Sequence, residues 1–195
     1  LTAVDLEMLG ININFAPVID VNTSKDNEVI GVRSFGSDPD MVAKLGSSYI
    51  RGIQSRRVSA TAKHFPGHGD TSGDSHFEMP SLNKSYDQIL ATDLKPFRSA
   101  IRSGVDSIMT AHISVPSLDP SGKPATLSKK IISGLLREQM NYQGLVVTDD
   151  MEMQAITKDG GISKAAVNAV LAGCDIITVV WTDRAKDEAY TSLLK

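Results

Sequence analysis

The chain has 195 residues, of which 41% are hydrophobic and 22% are charged, and this balance is ordinary for a globular protein. Its net charge of −3 argues against nucleic acid as a main partner, because phosphate binding needs a concentrated basic surface. No apolar run approaches the ~20 residues of a membrane span. The single cysteine, Cys174, excludes an internal disulfide.

Five apolar runs predict buried β-strands. They lie at residues 11–20, 58–62, 105–112, 145–150 and 175–180. Amphipathic patterns predict helices at residues 2–9, 40–55, 86–103, 128–140, 163–172 and 184–195. Gly10, Gly104, Gly144 and Gly173 each stand where a helix is expected to end. Nearly continuous hydrophobic strands that alternate with helices predict an α/β fold with a parallel sheet covered on both faces.

Side chains that can bind or react follow almost every predicted strand. They are Asp20, Lys63 with His64, His112, Asp149 with Asp150, and Trp181 with Asp183. A doubly wound sheet gathers its ligands at one switch point, whereas a closed barrel recruits them from many strands. We therefore expect a (β/α)8 TIM barrel. Since such a barrel typically takes ~250 residues, residues 1–195 are expected to form a single domain, about five βα units of a barrel that the rest of a longer polypeptide closes.

The segment 63–76 has the densest set of titratable side chains. It contains three of the four histidines of the chain, two aspartates and Lys63 on a backbone interrupted by Pro66 and Gly67. We expect an active-site loop just past the C-terminal end of strand 58–62, where α/β folds bind their ligands. A solvated polar turn and a metal site are the alternatives. Zinc is disfavoured because Pro66 and Gly67 break the helical spacing of His64 and His68, and no metal or other cofactor is expected.

A second candidate for chemistry is Asp149, which closes the predicted strand 145–150. An isolated aspartate after a strand is often only a helix N-cap. Together with a loop of histidines and aspartates on the same face of the sheet, it becomes a candidate nucleophile or base.

Six motifs resemble, in the same order, those of glycoside hydrolase family 3. They lie at residues 14–22, 29–36, 63–76, 109–112, 124–128 and 147–151. The Gly-Asp-Ser-His sequence at 73–76 is similar to that of the β-N-acetylglucosaminidase branch, the NagZ-like β-hexosaminidases, and separates this branch from the β-glucosidases.

The resemblance implies the roles of the catalytic residues. Asp149 matches the catalytic nucleophile of the family, whereas Asp150 is expected to be structural. His76 matches the general acid/base of this branch, and Asp74 matches the aspartate that orients and tunes the imidazole.

The resemblance also implies the residues that bind substrate. Arg33, Lys63 and His64 match residues that hydrogen-bond the ring hydroxyls of N-acetylglucosamine, and Arg and Lys side chains are donors suited to sugar hydroxyls. Glu152 departs from the family pattern, which prefers a small or amide residue there, and we expect this departure to be harmless.

A retaining glycosidase that removes terminal non-reducing β-N-acetylglucosamine, from peptidoglycan fragments or related glycans, is the activity that the resemblance implies. The partner is then a carbohydrate. An N-acetylglucosaminide phosphorylase, a non-catalytic sugar-binding fragment and a barrel with Lys63 as a Schiff-base lysine are the alternatives. The compartment stays open between the bacterial cytoplasm, which is favoured, and the cell wall or exterior.

Overall fold

The computed structural model describes residues 2–24, 27–71, 79–158 and 160–195. The chain divides into two compact units. The first comprises Leu1–Asp70 and Ser85–Met109, and the second comprises Thr71–Lys84 and Thr110–Lys195.

The first unit alternates short strands with helices. In chain order it contains α1 (Thr2–Met8), β1 (Ile13–Asn14), a 3-10 turn (Gly31–Arg33), α2 (Pro39–Gln54), β2 (Ser59–Phe65), α3 (Tyr86–Ala91), α4 (Leu94–Arg102) and most of β3 (Ser107–Thr110). Strands β1 and β2 are parallel, with Ile13 opposite Ser59 and Asn14 opposite Ala60. A parallel pair joined through a helix is the α/β arrangement predicted from the sequence.

Helix α2 packs against β2 and α4, and local chemistry explains where it begins. The Asp38 carboxylate accepts hydrogen bonds from the backbone N–H groups of Asp40 and Met41, as an N-cap should. A Cβ atom at Gly46 would lie 2.6 Å from Cγ2 of Ile19. Only glycine therefore allows the helix to lie so close to the segment that ends in Asp20.

The predicted helix 86–103 is two helices, α3 and α4, with a break at residues 92–93. Pro96 explains the break, because proline lacks a backbone N–H and its ring clashes with the carbonyl group four residues earlier. The proline is tolerated here because it lies in the first turn of α4. The edge-to-face pair of Phe97 with Phe65, at 5.2 Å between ring centroids, then anchors α4 to β2.

Strand β2 is longer than predicted, and β1 is shorter. β2 continues to Phe65, so Lys63 and His64 belong to the strand and do not follow it, which corrects the expected loop. The backbone N–H of Lys63 donates to the carbonyl of Pro17, and its carbonyl accepts from Ile19. Pro17 has no N–H to contribute, so the partner segment continues past β1 only as an isolated parallel bridge from Val18 to Lys63.

The second unit contains more helix than strand. In chain order it holds a 3-10 turn (Ala125–Leu127), a π-helical segment (Lys130–Gln139), β4 (Leu145–Val147), α5 (Gln154–Thr157), α6 (Gly161–Ala172) and α7 (Asp183–Leu193). Among the helices of the described ranges, none combines the length and the apolarity needed to cross a membrane.

Three of the four predicted helix-terminating glycines adopt the left-handed backbone that such positions favour: Gly10, Gly104 and Gly173, with φ of 74°, 73° and 115°. Gly144 does not have this role. Asn141, with φ of 53°, takes it after the π-helical segment. The Arg137 guanidinium then holds the following residues by donating to the carbonyl oxygens of Tyr142 and Gly144.

The predicted fifth strand, residues 175–180, is extended but forms only one bridge, from Ile176 to Val147. Side chains replace ladder bonds on both sides of that bridge. The N–H of Val146 donates to the Asp175 carboxylate at 2.7 Å, and the N–H of Thr178 donates to the Thr148 hydroxyl at 2.9 Å. The segment nevertheless runs parallel to β4, as predicted.

Candidate functional site

Asp20 is the centre of a buried cluster in the first unit. Its side chain is fully buried, and the two motifs that the sequence separates by 44 residues meet on its carboxylate. The backbone N–H of His64 donates to both carboxylate oxygens at 3.1 Å, and the N–H of His68 donates to one at 2.7 Å. Nδ1 of His64 lies 2.8 Å from the other oxygen. Because an ionised carboxylate only accepts hydrogen bonds, Nδ1 carries a proton towards Asp20.

The charge state of Asp20 follows from these contacts. Burial raises the pKa of this carboxyl, but the nearby positive charge and hydrogen bond of His64, followed by the contributions of His68, outweigh burial and hold the pKa below its usual value. Asp20 therefore remains ionised at neutral pH. It fixes the orientation of His64, one of the predicted sugar-binding residues.

The other two predicted sugar-binding residues differ in their surroundings. The Lys63 side chain is partly buried on β2, directly before His64. Arg33 ends the 3-10 turn, is exposed, and donates from Nε to the carbonyl of Val29 at 3.0 Å. The structure thus joins Lys63 and His64 on one strand, while Arg33 belongs to a separate turn of the same unit.

In the second unit, Asp149 and Asp150 follow β4 and have different hydrogen-bond partners. Asp149 is partly buried, and its carboxylate accepts from the N–H of Asp150 at 2.8 Å. The Asp150 carboxylate accepts from the N–H of Glu152 at 3.2 Å and from that of Val180 at 3.3 Å. Asp150 therefore joins two backbone segments.

His112 also holds this turn. It is buried, with Nε2 located 2.9 Å from the carbonyl oxygen of Asp150 and Nδ1 located 2.8 Å from the hydroxyl of Thr126. A carbonyl only accepts, so Nε2 carries a proton. This contact fixes the peptide that follows Asp150. The sequence indicated His112 as a strand-end residue, but no local pattern pointed to Thr126 or to the Asp150 carbonyl as its partners.

Asp74 and His76, the predicted orienting aspartate and acid/base, lie outside the described residues. No group of three or more metal-ligating side chains occurs within the described ranges.

Each unit thus contains one arrangement that enzymes use, a buried aspartate–histidine pair in the first and a carboxylate that follows a strand in the second. Over residues 1–195 the chain matches the model of the glycosyl hydrolase family 3 N terminal domain. It is 42% identical over 185 residues to a beta-hexosaminidase of Idiomarina loihiensis, an alignment that covers 95% of this chain and 54% of that protein.

Solved structures are similar over almost the whole chain. A glycoside hydrolase family 3 beta-N-acetylglucosaminidase from Paenibacillus sp. str. FPU-7 has a TM-score of 0.98 and 47% identity, with 99% of this chain and 37% of that chain covered. NagZ from Neisseria gonorrhoeae, in complex with N-trifluoroacetyl-D-glucosamine, has a TM-score of 0.84 and 36% identity, with 97% and 53% covered.

The chain belongs to glycoside hydrolase family 3 and has the TIM-barrel-like α/β fold of that family's N-terminal domain. The predicted family and fold class are thereby confirmed. The chain spans about half the length of the curated relatives it matches.

Proposed function

We propose that the complete protein hydrolyses terminal non-reducing β-N-acetylglucosamine residues with retention of configuration at the anomeric carbon. The observation that carries this proposal is the position of Asp149, a partly buried carboxylate two residues after the end of β4, in a turn that His112 and Asp150 hold by hydrogen bonds. A nucleophile must be held in place to attack a single carbon atom. The similarity to named beta-hexosaminidases supports the choice of sugar.

In the proposed reaction, a carboxylate oxygen of Asp149 forms a bond to the anomeric carbon while the bond from that carbon to the leaving oxygen breaks. His76 gives its proton to the leaving oxygen, and Asp74 accepts a hydrogen bond from the imidazole. In the second step His76 takes a proton from water, the water oxygen bonds to the anomeric carbon, and Asp149 is released.

We assign sugar binding to Arg33, Lys63 and His64. Arg33 and Lys63 offer hydrogen-bond donors to ring hydroxyls, and the Nε2 edge of His64 can bond to a hydroxyl, which both donates and accepts. Asp20 supports this role of His64, because a ring whose Nδ1 is held by a buried carboxylate presents its other edge in one orientation.

The substrates that we propose are peptidoglycan fragments and related glycans. We further propose that residues 1–195 form a single domain, part of a catalytic barrel that the rest of the polypeptide completes.

The test uses the full-length protein and a β-1,4-linked disaccharide of N-acetylglucosamine. The stereochemistry is followed by proton NMR on methyl β-N-acetylglucosaminide, because the disaccharide also releases a reducing-end sugar that is already a mixture of anomers. The β-anomer of N-acetylglucosamine should appear first, before mutarotation. First appearance of the α-anomer contradicts the retaining mechanism. Formation of a sugar 1-phosphate in phosphate buffer identifies a phosphorylase, and binding of the disaccharide without cleavage identifies a non-catalytic sugar-binding protein.

A further inference from the structure

Two of the six motifs found in the sequence, residues 109–112 and 124–128, meet at the hydroxyl group of Thr126. Its Oγ1 lies 2.8 Å from Nδ1 of His112 and 2.8 Å from Oγ1 of Thr110. All three side chains are fully buried. The hydroxyl therefore joins the two motifs inside the protein, next to the histidine that holds the turn of the nucleophile.

Backbone contacts explain why Thr126 lies beside His112. The N–H of Ala125 donates to the carbonyl of Ile113 at 2.8 Å, so the chain folds back on the segment that follows β3. Thr126 is the middle residue of the 3-10 turn, and its hydroxyl lies 3.0 Å from the carbonyl oxygen of Ala111. Both the backbone and a side chain thus fix this turn to the end of β3.

The positions of the protons follow from the partners of each atom. Nε2 of His112 faces the carbonyl oxygen of Asp150 at 2.9 Å, so Nε2 carries a proton. Nδ1 faces the Thr126 hydroxyl, which has one proton and two acceptors within reach, Nδ1 and the Ala111 carbonyl. If the hydroxyl donated to Ala111, Nδ1 would need a proton as well and the buried ring would be charged. Burial disfavours a charged imidazole.

We propose that Thr126 is a positioning residue for the nucleophile, and that it acts by donating its proton to Nδ1 of His112. The ring is then neutral, and its Nε2–H is directed at the Asp150 carbonyl. Thr110 donates in turn to the oxygen of Thr126. These hydrogen bonds all point the same way, from β3 to the turn that carries Asp149, and in such a series each bond polarises and strengthens the next.

This inference rests on the proposed function, in which Asp149 attacks the anomeric carbon. The Asp149 carboxylate accepts from the N–H of Asp150 at 2.8 Å, and the carbonyl of Asp150 is the group that His112 holds. Without the Thr126 hydroxyl, the His112 ring loses a contact that fixes its orientation. The restraint on Asp150 is then weaker, and the carboxylate beside it is less well placed for attack.

The first experiment separates kcat from KM in the full-length protein, with the disaccharide of N-acetylglucosamine as substrate. Thr126→Val keeps the shape of the side chain and removes the hydroxyl. We expect it to lower kcat by about three- to tenfold with little change in KM, which is less than the ~10²-fold that a misplacement of about 1 Å can cost. Thr126→Ser retains a hydroxyl and should recover most of the lost kcat.

Thr61→Val is the matched control for this substitution. Thr61 is also fully buried, and its hydroxyl lies 2.6 Å from that of Ser107, so the variant loses the same kind of contact at a place without a proposed catalytic role. Its kcat and KM should stay at the wild-type values. The double variant of Thr126→Val with His112→Leu should lose little more kcat than His112→Leu alone, because both substitutions act through one contact.

The second experiment observes the ring nitrogens of His112 by NMR at neutral pH, in protein labelled with ¹⁵N at histidine. The two signals are assigned from their loss in His112→Gln. Wild type should show a protonated Nε2 and an unprotonated Nδ1. In Thr126→Val the Nδ1 signal should move towards that of a nitrogen without a hydrogen bond, because the hydroxyl donor is gone, whereas Thr61→Val should leave both signals in place.

A proton on Nδ1 of wild-type His112, with or without one on Nε2, overturns the proposal. An unchanged kcat in Thr126→Val, an equal loss in Thr61→Val, or additive losses in the double variant also overturn it. If Thr126→Val does not fold, Thr110→Val decides: it should lower kcat in the same direction by a smaller factor, and an unchanged kcat refutes the series of hydrogen bonds. Failure of wild type to cleave the disaccharide is a different result, since it refutes the proposed function while the NMR signals still test the contact.

Discussion

Replacing Asp20 by asparagine should destabilise the protein and weaken sugar binding together. Asparagine has nearly the shape of aspartate, but its amide offers one acceptor atom where the carboxylate offers two. Asp20 is fully buried and accepts from the N–H groups of His64 and His68 and from the His64 ring. In the variant at least one of these donors faces the NH₂ group of the amide, without an acceptor.

The expected loss follows from burial. Leaving one buried donor without its acceptor costs about 1–3 kcal/mol. We therefore expect the free energy of unfolding of Asp20→Asn to be lower than that of wild type by about 1–3 kcal/mol. The KM for the disaccharide should rise as well, because the His64 ring loses its fixed orientation.

The pH dependence gives a separate check. The pKa of Asp20 is lower in the folded state than its ordinary value of 3.8, so the ionised carboxylate stabilises the folded protein above that value and the stabilisation is lost as pH falls through the lower, folded-state pKa. The difference in free energy of unfolding between wild type and Asp20→Asn should therefore be constant near neutral pH and shrink in acid.

The assay is urea unfolding of the full-length protein at several pH values, with steady-state kinetics on the same samples. Asp119→Asn is the matched control, because Asp119 is also buried and accepts hydrogen bonds from Ser128 and Ser121, yet it belongs to no proposed site. It should lose stability and keep its KM. A change of less than about 0.5 kcal/mol in Asp20→Asn, the range of ordinary surface substitutions, would refute the reasoning.

Three further predictions concern catalysis by the full-length protein. Asp149→Ala should lose nearly all turnover, up to ~10⁶-fold, whereas Asp150→Ala should be much milder; equal losses in the two variants would remove the nucleophile assignment. His76→Ala should be severely slow on the disaccharide but form the covalent intermediate readily from a nitrophenyl glycoside, whose leaving group needs no proton. Mass spectrometry should detect the adduct, and equal losses on both substrates would argue against the acid/base role. His112→Leu should lower kcat roughly 10- to 100-fold with little change in KM, as expected for a misplaced nucleophile. His112→Gln, which retains a donor, should recover part of the lost kcat, and a change in KM alone would contradict the positioning role.

Local chemistry made several elements of the fold predictable. The periodic spacing of apolar residues in α2 and its N-cap, Asp38, can be read directly from adjacent residues. Gly10, Gly104 and Gly173 end helices because glycine adopts positive φ at little cost. Pro96 carries the signal for the break between α3 and α4, although the apolar periodicity across it suggested one helix. The family resemblance was predictable for a similar reason, since its motifs are short runs of adjacent residues.

Contacts between distant residues were not predictable in this way. β2 extends to Phe65 because Lys63 finds backbone partners at Pro17 and Ile19, and the segment 175–180 forms a single bridge because Asp175 and Thr148 replace ladder bonds. No local pattern predicts these pairings, because each depends on which residues the folded chain brings opposite one another.

The same distinction between local chemistry and distant contacts applies to the candidate site. The sequence by itself determined the chemical types available, a carboxylate after β4 and the lysine and histidines of segment 63–76, because such groups react through their own functional atoms. Only the tertiary structure decided how they are held: His64 by Asp20, the Asp149 turn by His112, and His112 by Thr126. These contacts span 14 to 44 residues of sequence. Hydrogen bonds act over about 3 Å of space, so their partners are set by folding and not by position along the chain.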